Sequence, residues 1–118
     1  MPMKAPEPFR EERPWGEELW ITRDSPSMVK ILSVSPGEAL SLQFHKNRDE
    51  YWHVLSGNGS AVVGTETRPL STGNDCFVPR GTNHRLTGGT ERLVLLELAF
   101  GDYDENDIVR LEDKYGRM

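Results

Sequence analysis

The chain has 118 residues, of which 36% are hydrophobic and 28% charged, with a formal net charge of −5. That length accommodates one domain around a single core, and the composition is neither apolar enough for a membrane protein nor biased enough for disorder. The acidic balance argues against a nucleic-acid surface, which needs a basic field to neutralise phosphates.

Residues 1–13 are charged and proline-rich, and they read as an extended arm that is ordered only where it packs on the body or on another subunit. With no apolar stretch there, the reading is neither a signal peptide nor a membrane span, and a cytoplasmic location is the default. The single cysteine, Cys76, excludes an intrachain disulfide. Pro14-Trp15-Gly16 opens a single domain that runs over residues 14–118.

From there the chain is a series of short runs rich in β-branched and aromatic residues, each closed by turn formers. Val29 to Ser35 ends at Pro36-Gly37, Ala39 to His45 alternates, and Tyr51 to Leu55 ends at Ser56-Gly57-Asn58-Gly59. Ser60 to Val63, Thr67 to Leu70, Asp75 to Val78, His84 to Thr87 and Glu91 to Phe100 follow, with Gly or Pro after each. Such spacing predicts an all-β antiparallel sandwich or barrel. A short helix is predicted at the C-terminus, where Ile108, Leu111 and Tyr115 recur at helix-like spacing after Asn106-Asp107.

Metal-ligand residue types gather in two separate segments. On a strand, residues two apart share a face, so Gln43, His45 and Asn47 point one way while Leu42 and Phe44 point the other. A turn at Arg48-Asp49 returns Glu50 beside them, and Pro79-Arg80-Gly81 turns a corner that aims His84 inward. Taken singly, an inward histidine is more often a hydrogen-bonded core residue, and a lone glutamate near an arginine is a surface ion pair. The joint pattern favours a divalent cation held by His45, Glu50 and His84, with Gln43 or Asn47 as the fourth donor. His53 has the opposite parity to Glu50 and reads as outward or structural.

The stretch His45-x-Asn47-x-x-Glu50 followed by Gly57, and Gly73-x(5)-Pro79-x-Gly81-x-x-His84, resemble the two signature motifs of the cupin superfamily. Arg13-Pro14-Trp15-Gly16, Leu40 to His45, Arg48-x-Glu50-x-Trp52, His84-Arg85-Leu86 and the tail Asp107-Ile108-Val109-Arg110-x-Glu112-Asp113-x-Tyr115-Gly116-Arg117 are similar to the isomerase domain of type II mannose-6-phosphate isomerases. The resemblance implies a double-stranded β-helix (jelly-roll) barrel with a metal in its lumen. It further implies a stand-alone isomerase that interconverts mannose 6-phosphate and fructose 6-phosphate through an enediol, acting as a homodimer.

That chemistry would need a Lewis-acid cation, a base to move the proton, and cations for the phosphate. Arg48 and Arg85 are the candidate phosphate or enediolate partners and Glu97, in an apolar strand, the candidate base. Lys46 and Arg80 are weaker cationic candidates, and Tyr51 and Trp52 could line the sugar site. The mixed nitrogen and oxygen donors suit zinc, manganese, iron, nickel or cobalt. Two other classes fit the same motifs: a non-catalytic sugar- or metal-binding module and a non-haem iron dioxygenase.

Overall fold

The computed structural model describes residues 9–22, 27–102 and 104–117. Eleven strands run through them: β1 (Phe9–Arg13), β2 (Gly16–Thr22), β3 (Ser27–Val34), β4 (Leu42–Phe44), β5 (Arg48–Ser56), β6 (Asn58–Val63), β7 (Glu66–Ser71), β8 (Asp75–Val78), β9 (His84–Gly88), β10 (Leu93–Gly101) and β11 (Val109–Glu112). They form two antiparallel sheets, one of six strands in the order β1-β2-β3-β10-β5-β8 and one of five in the order β11-β4-β9-β6-β7. Sequence neighbours repeatedly lie in opposite sheets, which gives a jelly-roll.

Alternation explains how the layers pack. Along β5, Arg48, Glu50, Trp52 and Val54 are buried, and along β10 so are Leu93, Leu95, Glu97 and Ala99. Pairing stacks these into rungs. Leu32, Leu95 and Val54 make an apolar rung, Lys30, Glu97 and Trp52 the next, and Met28, Ala99 and Glu50 the one beyond. The main core, with Trp15, Leu32, Trp52, Leu86, Leu93 and Leu95, fills one end of the barrel. A smaller cluster of Trp20, Met28 and Ala99, with Phe9 against it, closes the other. Burying each such side chain is worth roughly 1.5–3 kcal/mol. Charged residues inside the barrel therefore sit between two apolar walls.

Two glycines hold the loops in place. Gly57, at φ +82°, turns β5 into β6 so tightly that a Cβ would lie 1.8 Å from the Arg92 carbonyl oxygen. Gly81, at φ +78°, donates its N–H to the His45 carbonyl at 2.7 Å, tying the two motif segments together.

The C-terminal helix does not form; the described residues contain none. Val109–Glu112 is instead an edge strand paired with β4. The open edge of β4 offers backbone partners that a short isolated helix lacks. Ile108 lines the barrel cavity, Leu111 is exposed, and Tyr115 packs on the core, so the three share no face. The last residues of the expected arm, Phe9–Arg13, pair with β2 as β1, while residues 1–8 lie outside the described residues. The strands β1 and β2 were not expected from the pattern. No helix among the described residues is long and apolar enough to cross a membrane.

Candidate metal centre and its cavity

His45, Glu50 and His84 converge. Their ligand atoms lie within 4.8 Å of one another and all three side chains are buried. Glu50 Oε1 is 3.5 Å from His45 Nε2 and 3.3 Å from His84 Nε2. The other ring nitrogen of each histidine is committed to a backbone carbonyl. His45 Nδ1 lies 2.7 Å from the Asp107 oxygen, and His84 Nδ1 lies 2.9 Å from that of Thr82. Each Nδ1 thus carries its proton, and each Nε2 presents a lone pair toward the carboxylate. His84 Nε2 is buried with no hydrogen-bond partner among the described residues. Bare imidazole nitrogens facing a carboxylate oxygen suit a cation between them, and carbonyl-anchored histidines are the usual arrangement in metal sites. The residues fit a divalent ion.

The electrostatics agree. Burial opposes the charged form of Glu50, but the adjoining imidazoles of His45 and His84 outweigh it and hold its carboxyl well below the usual range. Burial likewise opposes protonation of His84, and Glu50 outweighs it and raises the imidazole above its ordinary value. Site and proton therefore compete for the same lone pairs.

Gln43 lies beside the triad, with its amide nitrogen 3.4 Å from His45 Nε2 and its oxygen accepting from Ser41 Oγ. Asn47 does not join it. The strand ends at Phe44, so its alternation stops there, and Asn47 is exposed, its backbone N–H held by the Asp107 carboxylate at 2.9 Å. Of the two candidate fourth donors, only Gln43 lies beside the triad.

A cavity of about 370 Å³ opens beside Glu50, lined by Gln43, Arg48, Lys30, Glu97, Glu18 and Arg110 among others. Arg48 is buried here. Its Nε is 3.3 Å from Glu50 Oε2, its Nη2 is 3.2 Å from His45 Nε2, and its Nη1 donates to the Asp104 carbonyl at 3.0 Å. Glu97 also faces the lumen, accepting from Trp52 Nε1 at 2.9 Å with Lys30 Nζ at 3.4 Å. Burial and the nearby Glu50 charge raise the Glu97 carboxyl above its usual value, despite Lys30. Trp52 is a buried wall, its ring edge-on to His84 with 5.6 Å between centroids.

Four other candidates lie elsewhere. Arg85 has the opposite parity to His84 and its guanidinium binds the Leu40 and Glu112 carbonyls at 3.0 and 3.3 Å, which laces strands together. Arg80 is exposed and grips Asp49. Lys46 is exposed, and Tyr51 points to the outer face of β5, where Asp75 neighbours its hydroxyl. The outward reading of His53 holds, since it pairs with Asp75 near the surface.

Sequence reasoning missed Glu18 and Lys30. Lys30 Nζ is 2.8 Å from Glu18 Oε2, and both are buried. The available signal was Lys30 sharing the inward parity of Met28, Leu32 and Val34 on an otherwise apolar face. Arg110 and Arg117 also reach the cavity.

A jelly-roll whose lumen holds two histidines and a glutamate from separate segments defines a cupin. Its overall fold superposes on a PAC13 variant from Streptomyces with uridine at a TM-score of 0.82 (17% identity, 96% of this chain and 93% of that one). It also superposes on the Schizosaccharomyces pombe Cnp3 cupin domain at 0.69 (17% identity, 73% and 64%). The family model described as Mannose-6-phosphate isomerase C-terminal matches residues 7–113, and the chain belongs to that family.

Among curated relatives, mannose-1-phosphate guanylyltransferase ManC of Salmonella typhimurium is 38% identical over 108 residues, covering 90% of this chain and 22% of the relative. The xanthan biosynthesis protein XanB of Xanthomonas campestris is 42% identical over 107 residues, covering 89% and 23%. The chain thus spans less than a quarter of the length of these relatives, the first of which is named as an enzyme. These findings overturn the expectation of a stand-alone isomerase of mannose 6-phosphate and fructose 6-phosphate. Relatives matching nine-tenths of the chain are named for guanylyl transfer.

Proposed function

We propose that this chain is a divalent-metal cupin that holds a mannose phosphate in its cavity, of the kind that its guanylyltransferase relatives act on. The observation carrying the proposal is the pair of imidazoles whose Nε2 atoms face Glu50 Oε1 at 3.5 and 3.3 Å while carbonyls hold their other nitrogens. The cavity volume, about 370 Å³, is within the range of small-ligand sites. The family description and the relatives' names both concern mannose phosphates, which supports the ligand class.

His45, Glu50 and His84 would hold the ion with Gln43 beside them, and the nitrogen and oxygen donors suit zinc, manganese, iron, nickel or cobalt. When bound, such an ion polarises a ligand oxygen as a Lewis acid. Arg48 and Lys30 supply positive charge along the wall, and Glu97, its carboxyl raised above the usual value, can hydrogen-bond a sugar hydroxyl. Trp15, Trp20, Leu32 and Ile108 restrict water around them.

The test pairs metal analysis of purified, metal-loaded protein with calorimetry against mannose 1-phosphate and glucose 1-phosphate. One ion per chain, lost in His84→Ala, and tighter binding of the mannose compound are expected. Absence of a stoichiometric ion, or equal affinity for both sugars, would overturn the reading.

A further inference from the structure

The tail over residues 107–117 contributes more than the Asp107 carbonyl that orients His45. Arg110 of β11 lies opposite Gln43 of β4, and Gln43 lies opposite His84 of β9. Residues paired across strands share a face, so the three side chains form one row. Two strand spacings put the Arg110 and His84 backbones roughly 10 Å apart. Arg110 and Gln43 both line the cavity.

The other cations of the cavity are answered. Arg13 binds Glu11 and Glu18 at 2.5 and 2.7 Å, and Lys30 binds Glu18 and Glu97. Arg117 binds Asp113 through Nε and Nη2 at 2.7 and 3.2 Å, and Arg48 binds Glu50. These contacts also neutralise Glu18, Glu50 and Glu97, leaving the exposed Glu105 at the rim. Arg110 differs. Its Nε is buried without a hydrogen-bond partner, and its guanidinium makes no ion pair among the described residues. A guanidinium whose Nε is withdrawn from water and meets no acceptor is unfavourable until an anion reaches it.

We propose that Arg110 is the phosphate-receiving residue of the cavity, flanked by Arg13 and Arg117, and that the phosphate of a monoester seats there. A planar guanidinium presents paired donors that match phosphate oxygens, and two further cations suit a dianion. Burial first, then the charges of Arg117 and Arg13, depress the Arg110 pKa, with Asp113 offsetting part of this. A bound anion relieves all three effects. With phosphate there, the sugar extends along the row past Gln43 toward the metal centre. Only the sugar's identity rests on the proposed function; the anion subsite stands on Arg110.

Inorganic phosphate is the probe, titrated at low salt into the full chain after chelation and again after metal loading, with metal content measured in each sample. Phosphate is expected to bind in both states and to shift the Arg110 Nε–Hε resonance. Arg110→Gln should weaken binding about tenfold or more, with Arg110→Lys retaining part of it. Arg68→Gln, an exposed residue paired with Glu66, should leave it unchanged. Binding by Arg110→Gln equal to wild type, an unmoved Arg110 resonance, or binding that needs the ion and ignores Arg110 would overturn the assignment. The resonance shift is read on the unaltered chain, so it decides even if a variant misfolds. A missing ion with intact phosphate binding would count against the metal reading alone.

Discussion

His45 and Asp107, 62 residues apart, hold one another in two ways. His45 Nδ1 donates to the Asp107 carbonyl at 2.7 Å, and the Asp107 carboxylate accepts the N–H groups of Lys46 and Asn47, each at 2.9 Å. The turn that presents one candidate metal ligand is therefore built against the residue just ahead of β11, and the tail sets the direction of the imidazole.

Asp107→Ala removes both charge-assisted bonds to that turn. A loss of about 1–3 kcal/mol in stability is expected in urea melts. Metal affinity should fall about tenfold, because the carbonyl that orients His45 is no longer fixed. An unchanged melt together with unchanged metal competition would refute the coupling between tail and ligand.

Metal affinity should depend on pH through His84. Its imidazole is raised above the ordinary histidine value, so proton competition begins at a higher pH than for a free histidine. Affinity is highest above the raised value and declines as pH falls through it, whereas Glu50, held well below the carboxylate range, stays charged. Without metal the sign reverses: the proton stabilises the fold below the unfolded histidine value, and this is lost as pH rises through the folded one. Metal competition and melting curves between pH 5.5 and 8, with and without chelator, check both signs.

Lys30 lies between Glu18 at 2.8 Å and Glu97 at 3.4 Å, and all three are buried. Lys30→Met would strip Glu97 of its cation and leave Glu18 with Arg13 alone, at a cost of about 3–5 kcal/mol. Acidification toward the carboxylate range should recover part of that loss in the variant as the acids neutralise. If the variant melts like wild type at neutral pH, the cation is not what holds the two acids in place.

Asp113 ties the end of the tail. Its carboxylate accepts from Arg117 Nε and backbone N–H, both at 2.7 Å, and from the Tyr115 N–H at 3.2 Å. The hydrogen bonds from Arg117 lower its pKa from 3.8 to about 2. The resulting stability is present above pH 3.8 and is lost as pH falls through about 2. Amide exchange at Tyr115 and Arg117 should speed up over that interval, and Asp113→Asn should speed it up at neutral pH.

Much of the barrel was legible in the pattern. Turn residues marked β5 through β10 because glycine and proline end strands for local steric reasons, which neighbours in space do not alter. His45, Glu50 and His84 were legible because parity and two turn motifs aim them together. Asn47 was misplaced because alternation holds only while the chain is extended, and the strand stops at Phe44. Arg85 was misread for a related reason, since adjacency to His84 on a strand places it on the opposite face.

The sequence by itself determined an all-β chain with an imidazole–carboxylate–imidazole set, since periodicity and turn chemistry are local properties. Tertiary structure alone decided that residues 109–112 close an edge instead of coiling, because backbone partners on β4 outweigh a weak helical pattern. It also decided which charges share the lumen. Lys30 with Glu18, and Arg110 with Gln43, meet through pairing between strands far apart in the chain, and no local rule specifies that register.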